Sequence, residues 1–155
     1  APVVAMTRTP DGGGYWLVGA DGGVFSFGDA SFYGSLGATA LRAPIVGIAG
    51  TPSGHGYWLA AADGGVFAFG DATFYGSVSS VALRGPIVGI TTTPSGDGYW
   101  LVGHDGGVFS FGDASFYGSL GGTGFVPVTG MVADDDLGYR LIGADGSAYP
   151  FGTTS

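Results

Sequence analysis

The chain has 155 residues, a length that fits one domain or one repeat array. It has a net charge of −8 and no Lys, so it lacks the clustered cations that nucleic-acid binding requires. It also lacks Cys, which removes disulfides and thiol catalysis, and no apolar stretch reaches the roughly 18 residues that span a bilayer. We therefore predict no nucleic-acid partner and no membrane insertion.

Three nearly identical repeats of 42 residues and a shortened fourth copy make up the chain. Residues 14–37 read GYWLVGADGGVFSFGDASFYGSLG, and residues 98–121 repeat them with one change, Ala20 becoming His104. The repeats cover residues 1–42, 43–84, 85–126 and 127–155. We predict a single repeat domain over residues 1–155, because one repeat alone cannot bury its own apolar faces.

Each complete repeat contains four segments with the composition of β-strands, and the second repeat illustrates them. In chain order they cover residues 44–49, 57–61, 66–69 and 73–77. An Asp-Gly pair separates the second and third segments, as two-residue hairpins favour. Apolar residues occupy both faces of the second segment, which indicates a sheet covered on both sides. The pattern predicts a four-stranded antiparallel meander followed by a longer return.

A four-stranded meander of this length is typical of a β-propeller blade. Small residues such as Gly47 and Gly89 suit a first strand that lines a crowded central axis. We predict an all-β fold of tandem four-stranded repeats, forming a small β-propeller of four blades with an incomplete last blade. The alternative is an open array, or one completed by another chain. A three-repeat β-trefoil does not fit, because a fourth copy starts at Pro127.

The repeat pattern is GYWLV-x-x-DGGVF-x-FGDA-x-FYGS, followed by a loop and PIVG, over essentially the whole chain. It resembles tandem repeats in secreted and cell-wall proteins of actinobacteria and related high-GC bacteria. The resemblance implies a propeller-like architecture and a secreted or cell-surface location. The fourth copy departs from the pattern, with Arg140 in place of Trp and residues 147–150 in place of GVFSF.

Aromatic residues at recurring positions are the candidate ligand-binding side chains. They can either pack between blades or stack on sugar rings. The candidates are Tyr15, Trp16, Tyr57, Trp58, Tyr99, Trp100, Tyr33, Tyr75 and Tyr117. Several equal weak sites gain avidity through multivalency, so a glycan or cell-wall polymer is the predicted partner.

Aspartates recur in two turns of each repeat, where turn formation is their simplest role. Isolated carboxylates offer too few oxygens for a cation, so we predict no cofactor and no metal. Asp134, Asp135 and Asp136 form a weak candidate metal cluster, although such a run is more often a solvated turn. His55 and His104 accompany no marked nucleophile, and we therefore predict no enzymatic activity.

Together these features predict a non-catalytic, secreted or cell-surface repeat module that binds carbohydrate or another surface ligand. One alternative is a self-assembling subunit of an extracellular filament or surface layer. The 34 Gly, the abundant aromatics and the low charge suit such a subunit, which would associate through repeat edges. A second alternative is an appendage of a cell-wall hydrolase.

Overall fold

The computed structural model describes residues 2–37, 41, 43–78, 85–120, 127–134 and 138–152. These residues form strands, turns and irregular segments, and none of them belongs to a helix. The described part of the chain accordingly contains no helix able to cross a membrane. The predicted all-β class is confirmed.

Each repeat forms one three-stranded antiparallel sheet with its strands in chain order. The first sheet contains β1 (Val3–Arg8), β2 (Gly14–Gly19) and β3 (Val24–Gly28). The second contains β4 (Ile45–Gly50), β5 (Gly56–Ala61) and β6 (Val66–Gly70). The third contains β7 (Ile87–Thr92), β8 (Gly98–Gly103) and β9 (Val108–Gly112). The fourth contains β10 (Val128–Asp134), β11 (Gly138–Gly143) and β12 (Ala148–Gly152).

The hairpin between the second and third strands follows the Asp-Gly prediction. In the second sheet Gly64 has a φ of +91°, a backbone conformation that other residues rarely adopt. The carboxylate of Asp63 accepts a hydrogen bond from the Gly65 amide at 3.0 Å. This turn sets the register in which Trp58 of β5 lies opposite Ala68 of β6.

The predicted fourth strand is wrong for the first three repeats. Residues 72–78 of the second repeat belong to no strand, and neither do the matching residues 30–36 of the first. Backbone groups of this segment bind side chains instead of a neighbouring strand. The Tyr33 amide donates to the Tyr57 hydroxyl at 3.0 Å, and the Gly34 carbonyl accepts from that hydroxyl at 2.5 Å. The segment therefore connects consecutive sheets rather than extending one.

The first strands of the four sheets pack against one another in chain order. β1 packs against β4, β4 against β7, and β7 against β10. Between β4 and β7 this close approach depends on glycine, since a Cβ added to Gly47 would lie 3.4 Å from the Cα of Gly89. All four repeats line one pocket of about 410 Å³, to which they contribute Arg8, Gly50, Thr92 and Ala133 among others. This repeated all-β architecture fits a β-propeller.

The core lies between consecutive sheets, with one apolar cluster at each junction. At the first junction Trp16 and Val18 of β2 meet Tyr57 and Leu59 of β5. We call the side of a sheet that carries the Trp position its outgoing face and the side that carries the Tyr position its incoming face. Every residue of β5 is buried, as expected for a strand covered on both sides.

Candidate ligand-binding site

The three Trp candidates lie inside the junctions. Trp16, Trp58 and Trp100 are at most 2% exposed. The indole N–H of Trp58 donates to the carbonyl oxygen of Thr73 at 2.7 Å, and the other two make the equivalent bond. A fully enclosed ring offers no face to a sugar. These Trp residues therefore pack the core and do not form stacking platforms in this structure.

The Tyr residues on the second strands differ between sheets. Tyr57 and Tyr99 are fully buried, whereas Tyr15 is 39% exposed. Burial raises the pKa of Tyr57 and of Tyr99, and the hydrogen bonds to the preceding repeat only partly oppose this increase. Tyr139, which sequence reasoning did not single out, is buried and bonded in the same way. The sequence signal that could have identified Tyr139 is that it occupies, in the fourth copy, the position of Tyr57 and Tyr99.

Two polar pockets lie at consecutive junctions, and each contains a Tyr candidate. The first junction pocket measures about 280 Å³ and includes Asp29, Ser31, Tyr33 and His55. The second measures about 330 Å³ and includes the matching Asp71, Thr73, Tyr75 and Asp97. In both pockets the return segment of one repeat faces the Pro-containing turn of the next. The structure thus brings Tyr33 and Tyr75 together with carboxylates and hydroxyls.

A hydroxyl network holds the pocket carboxylates. Thr51 is buried, and its Oγ1 donates to Asp71 Oδ1 at 2.8 Å. The Ser53 hydroxyl donates to the second oxygen of Asp71. Partial burial favours a higher pKa for Asp71, but the bonds from Ser53 and Thr51 outweigh it and lower the pKa below its usual range. Asp71 is therefore ionised at neutral pH and keeps acceptor positions for a ligand.

Each pocket contains two carboxylates, but the second carboxylate is placed differently: the first pocket has Asp11 and His55 where the second has Ser53 and Asp97. Asp11 occupies the position of Ser53 and accepts hydrogen bonds from the Gly13 amide at 2.8 Å and from Thr9 Oγ1 at 2.9 Å. The hydrogen bonds that the Gly13 amide and the Thr9 hydroxyl donate to its carboxylate lower the pKa of Asp11. The two pockets thus share the Thr–Asp hydrogen bond and the Tyr, and they differ in the residues of the Pro-containing turns.

The remaining candidates lie elsewhere. Tyr117 is the third member of the Tyr33 and Tyr75 series and is half-buried beside Tyr139, with a ring separation of 5.6 Å. His104 lies in the hairpin of the third sheet, outside both junction pockets. Asp135 and Asp136 fall outside the described residues, as does the side chain of Asp134. Among the residues that the structure describes, no three His or Asp side chains are grouped to hold a metal ion.

Sequence reasoning missed the hydroxyl residues of the pockets. Thr9, Thr51 and Thr93 each precede a Pro, and their recurrence at this position was the available signal. No protein-family model matches the chain, and no curated protein matches it. The chemistry of the junction pockets is consequently the basis for a functional interpretation.

Proposed function

We propose that this chain is a non-catalytic module that binds neutral carbohydrate chains at its junction pockets. The observation that carries the proposal is the recurrence of one arrangement, a carboxylate, a hydroxyl and a Tyr, at two successive junctions. Tyr33 and Tyr75 pack against the apolar clusters of the junctions and also line the pockets beside the carboxylates.

The composition of the pockets matches the chemistry of a sugar. Sugar hydroxyls need acceptors, and an ionised carboxylate such as Asp71 offers about four lone-pair positions, two of which Thr51 and Ser53 use. The apolar face of a sugar ring packs on aromatic rings, and Tyr75 lines the same pocket. Hydrogen bonds hold Asp71, and the Tyr75 ring contacts the rings of Trp58 and Tyr99, so both groups are positioned before binding and its entropic cost is lower.

Charge favours a neutral polymer over an acidic one. The chain carries a net charge of −8, and both pockets contain carboxylates, so an anionic ligand would be repelled. Consecutive pockets related by the repeat suit a polymer that presents the same unit many times. Weak binding at each pocket then adds to useful avidity.

The proposal includes a secreted or cell-surface location, where such polymers occur. Its support is the resemblance of the repeat pattern to secreted and cell-wall proteins. Fractionation of the producing cells, followed by immunodetection of the protein, tests this part. Recovery from the cytoplasm alone would contradict it.

The binding test is calorimetric titration of the full chain with neutral cell-wall oligosaccharides. Tyr33→Ala and Tyr75→Ala each remove one pocket ring, and we expect each to weaken binding several-fold. We expect the double variant to weaken it by more than about tenfold, because avidity is lost together with both contacts.

Tyr15→Ala is the matched control, since it removes an exposed Tyr that lies in neither pocket. Thermal unfolding of all variants separates lost binding from lost folding. Unchanged affinity in the double variant, or an equal loss in the control, would contradict the proposal.

A further inference from the structure

The incoming face of the first sheet is apolar and exposed. Five large side chains on it are between 39% and 62% exposed: Val3, Met6, Tyr15, Phe25 and Phe27. Monomeric proteins rarely expose contiguous apolar surface of this kind without a partner for it.

The same positions in the second sheet are covered. Ile45 and Tyr57, which match Val3 and Tyr15 in the strand register, are fully buried. Phe69, which matches Phe27, packs against the core of the first junction. The two faces share their large apolar positions and differ at Arg8, where the second sheet has Gly50. The second face is covered because a sheet precedes it.

The three junctions within the chain show which groups cover an incoming face. At the first junction the Trp16 ring lies 5.5 Å from the Tyr57 ring, measured between centroids. The Tyr57 hydroxyl is bonded to the Phe-Tyr-Gly segment, at Tyr33 and Gly34. A Cβ on Gly34 would lie 2.7 Å from the Phe69 ring, so this segment must carry Gly at that point.

We propose that the incoming face of the first sheet is a docking surface for a further repeat of this type. The partner is defined by its chemistry, a sheet whose outgoing face carries Trp and is followed by Phe-Tyr-Gly. Tyr15 then packs against that Trp, and its hydroxyl bonds the partner's Tyr-Gly backbone, as Tyr57 does at the first junction. This inference is independent of carbohydrate binding, because none of the five side chains lines a junction pocket.

A second copy of the chain does not meet this description. The outgoing faces of its first three sheets are covered by the sheets that follow. In its fourth sheet Arg140, Ala148 and Pro150 occupy the positions that Trp58, Val66 and Ala68 occupy in the second. Pro150 also removes a backbone donor from the edge strand β12, which disfavours pairing there.

The test joins a second copy of residues 43–84 in front of Ala1 of the full chain. Arg84 then precedes Ala1 and Pro2, just as Arg42 precedes Ala43 and Pro44 in the chain itself. Hydrogen exchange is followed in peptides that contain Ala20, whose sequence LVGADGG occurs once and reports only on the first sheet. We expect exchange there to slow by at least about tenfold relative to the original chain, because sheet opening then requires the new junction to separate.

Two matched variants sharpen this result. Trp58→Ala in the added copy alone should remove most of the protection. Tyr15→Phe should reduce it in the extended chain and leave exchange in the original chain unchanged. If the first extended chain fails to fold, a version that adds residues 85–126 takes its place.

Absence of protection in both extended chains would overturn the proposal. So would light scattering that shows the original chain forming dimers that Tyr15→Ala dissociates, since a second copy would then be the occupant. A constant monomer mass for the original chain supports the proposal.

Discussion

The first and second sheets have nearly the same sequence and very different environments. Tyr15 and Tyr57 begin the same Tyr-Trp-Leu segment, yet Tyr15 is 39% exposed and Tyr57 is fully buried. In the first sheet Tyr15 stacks on Phe27, with centroids 5.0 Å apart and planes at 18°. In the second sheet the Tyr57 and Phe69 rings are tilted by 42°, and the Trp16 ring of the first sheet lies 5.5 Å from the Tyr57 ring. Burial in this array is therefore conferred by the neighbouring sheet.

The Thr–Asp hydrogen bond within a repeat is the same in the first and second repeats. Thr9 donates to Asp29 at 2.8 Å in the first repeat, and Thr51 donates to Asp71 at the same distance in the second. These bonds join residues of one repeat and form whether or not a preceding sheet is present. The comparison thus separates two sources of stability, a local hydrogen-bond framework and packing between sheets.

Truncation of the two Tyr residues tests the comparison most directly. We expect Tyr57→Ala to reduce the free energy of unfolding by about 3–5 kcal/mol, as other large core truncations do. Tyr15→Ala should change it by less than about 0.5 kcal/mol, as an exposed substitution does. Urea unfolding of both variants measures the contrast. Equal losses would show that the first sheet is covered in solution.

Alkaline pH should act on the buried Tyr residues as a group. Burial raises the pKa of Tyr57, Tyr99 and Tyr139 above the ordinary value of 10.0. A raised pKa in the folded state contributes stability that is fully present below pH 10 and is lost as the pH rises through the folded value. We expect the urea midpoint to fall steadily above about pH 10. Tyr57→Phe should make this decline shallower, and an unchanged slope would contradict the assignment.

Removal of one hydroxyl tests the bonds between repeats. Tyr57→Phe leaves the Tyr33 amide and the Gly34 carbonyl without the partner they now share, which should cost about 1–3 kcal/mol. Tyr15→Phe should be neutral in the original chain, since the first sheet has no described sheet before it. A double-mutant cycle of Tyr57→Phe with Trp16→Phe separates the hydroxyl contribution from ring packing.

Ser26 provides the smallest and most local test. The hydroxyl oxygens of Ser26 and Ser110 are buried without a hydrogen-bond partner, and Ala68 occupies the matching position in the second sheet. We expect Ser26→Ala to increase the free energy of unfolding by about 0.5–1 kcal/mol, because a desolvated hydroxyl is removed. The reverse change, Ala68→Ser, should decrease it by a similar amount. A loss of stability in Ser26→Ala would indicate that its hydroxyl has a partner in solution.

Most of the strands could be predicted from the sequence because they depend on local signals. The predicted segments 57–61 and 66–69 match β5 and β6 to within one residue, since the Asp-Gly turn fixes the hairpin between them. The segment 73–77 looked equally strand-like, but its backbone groups bind side chains of the repeat and its neighbour. Composition alone does not distinguish these two uses of an apolar segment.

The candidate site was predicted only in part, because composition does not distinguish buried from accessible aromatic residues. Tyr33 and Tyr75 line the junction pockets, while the Trp candidates are buried. All of these residues are aromatic and recur every 42 residues, so the pattern treats them alike. Thr51 was overlooked because its role depends on Asp71, which lies 20 residues further along the chain.

The sequence by itself determined the repeat, its hairpins and the apolar residues on both faces of the second strands. These features depend on contacts between residues close in the chain, such as the bond between Asp63 and the Gly65 amide. Only the tertiary structure decided which faces are covered and which aromatic residues remain accessible. Tyr15 and Tyr57 lie in the same local sequence, and burial is a property of the surface packed against them, which in this array belongs to another repeat.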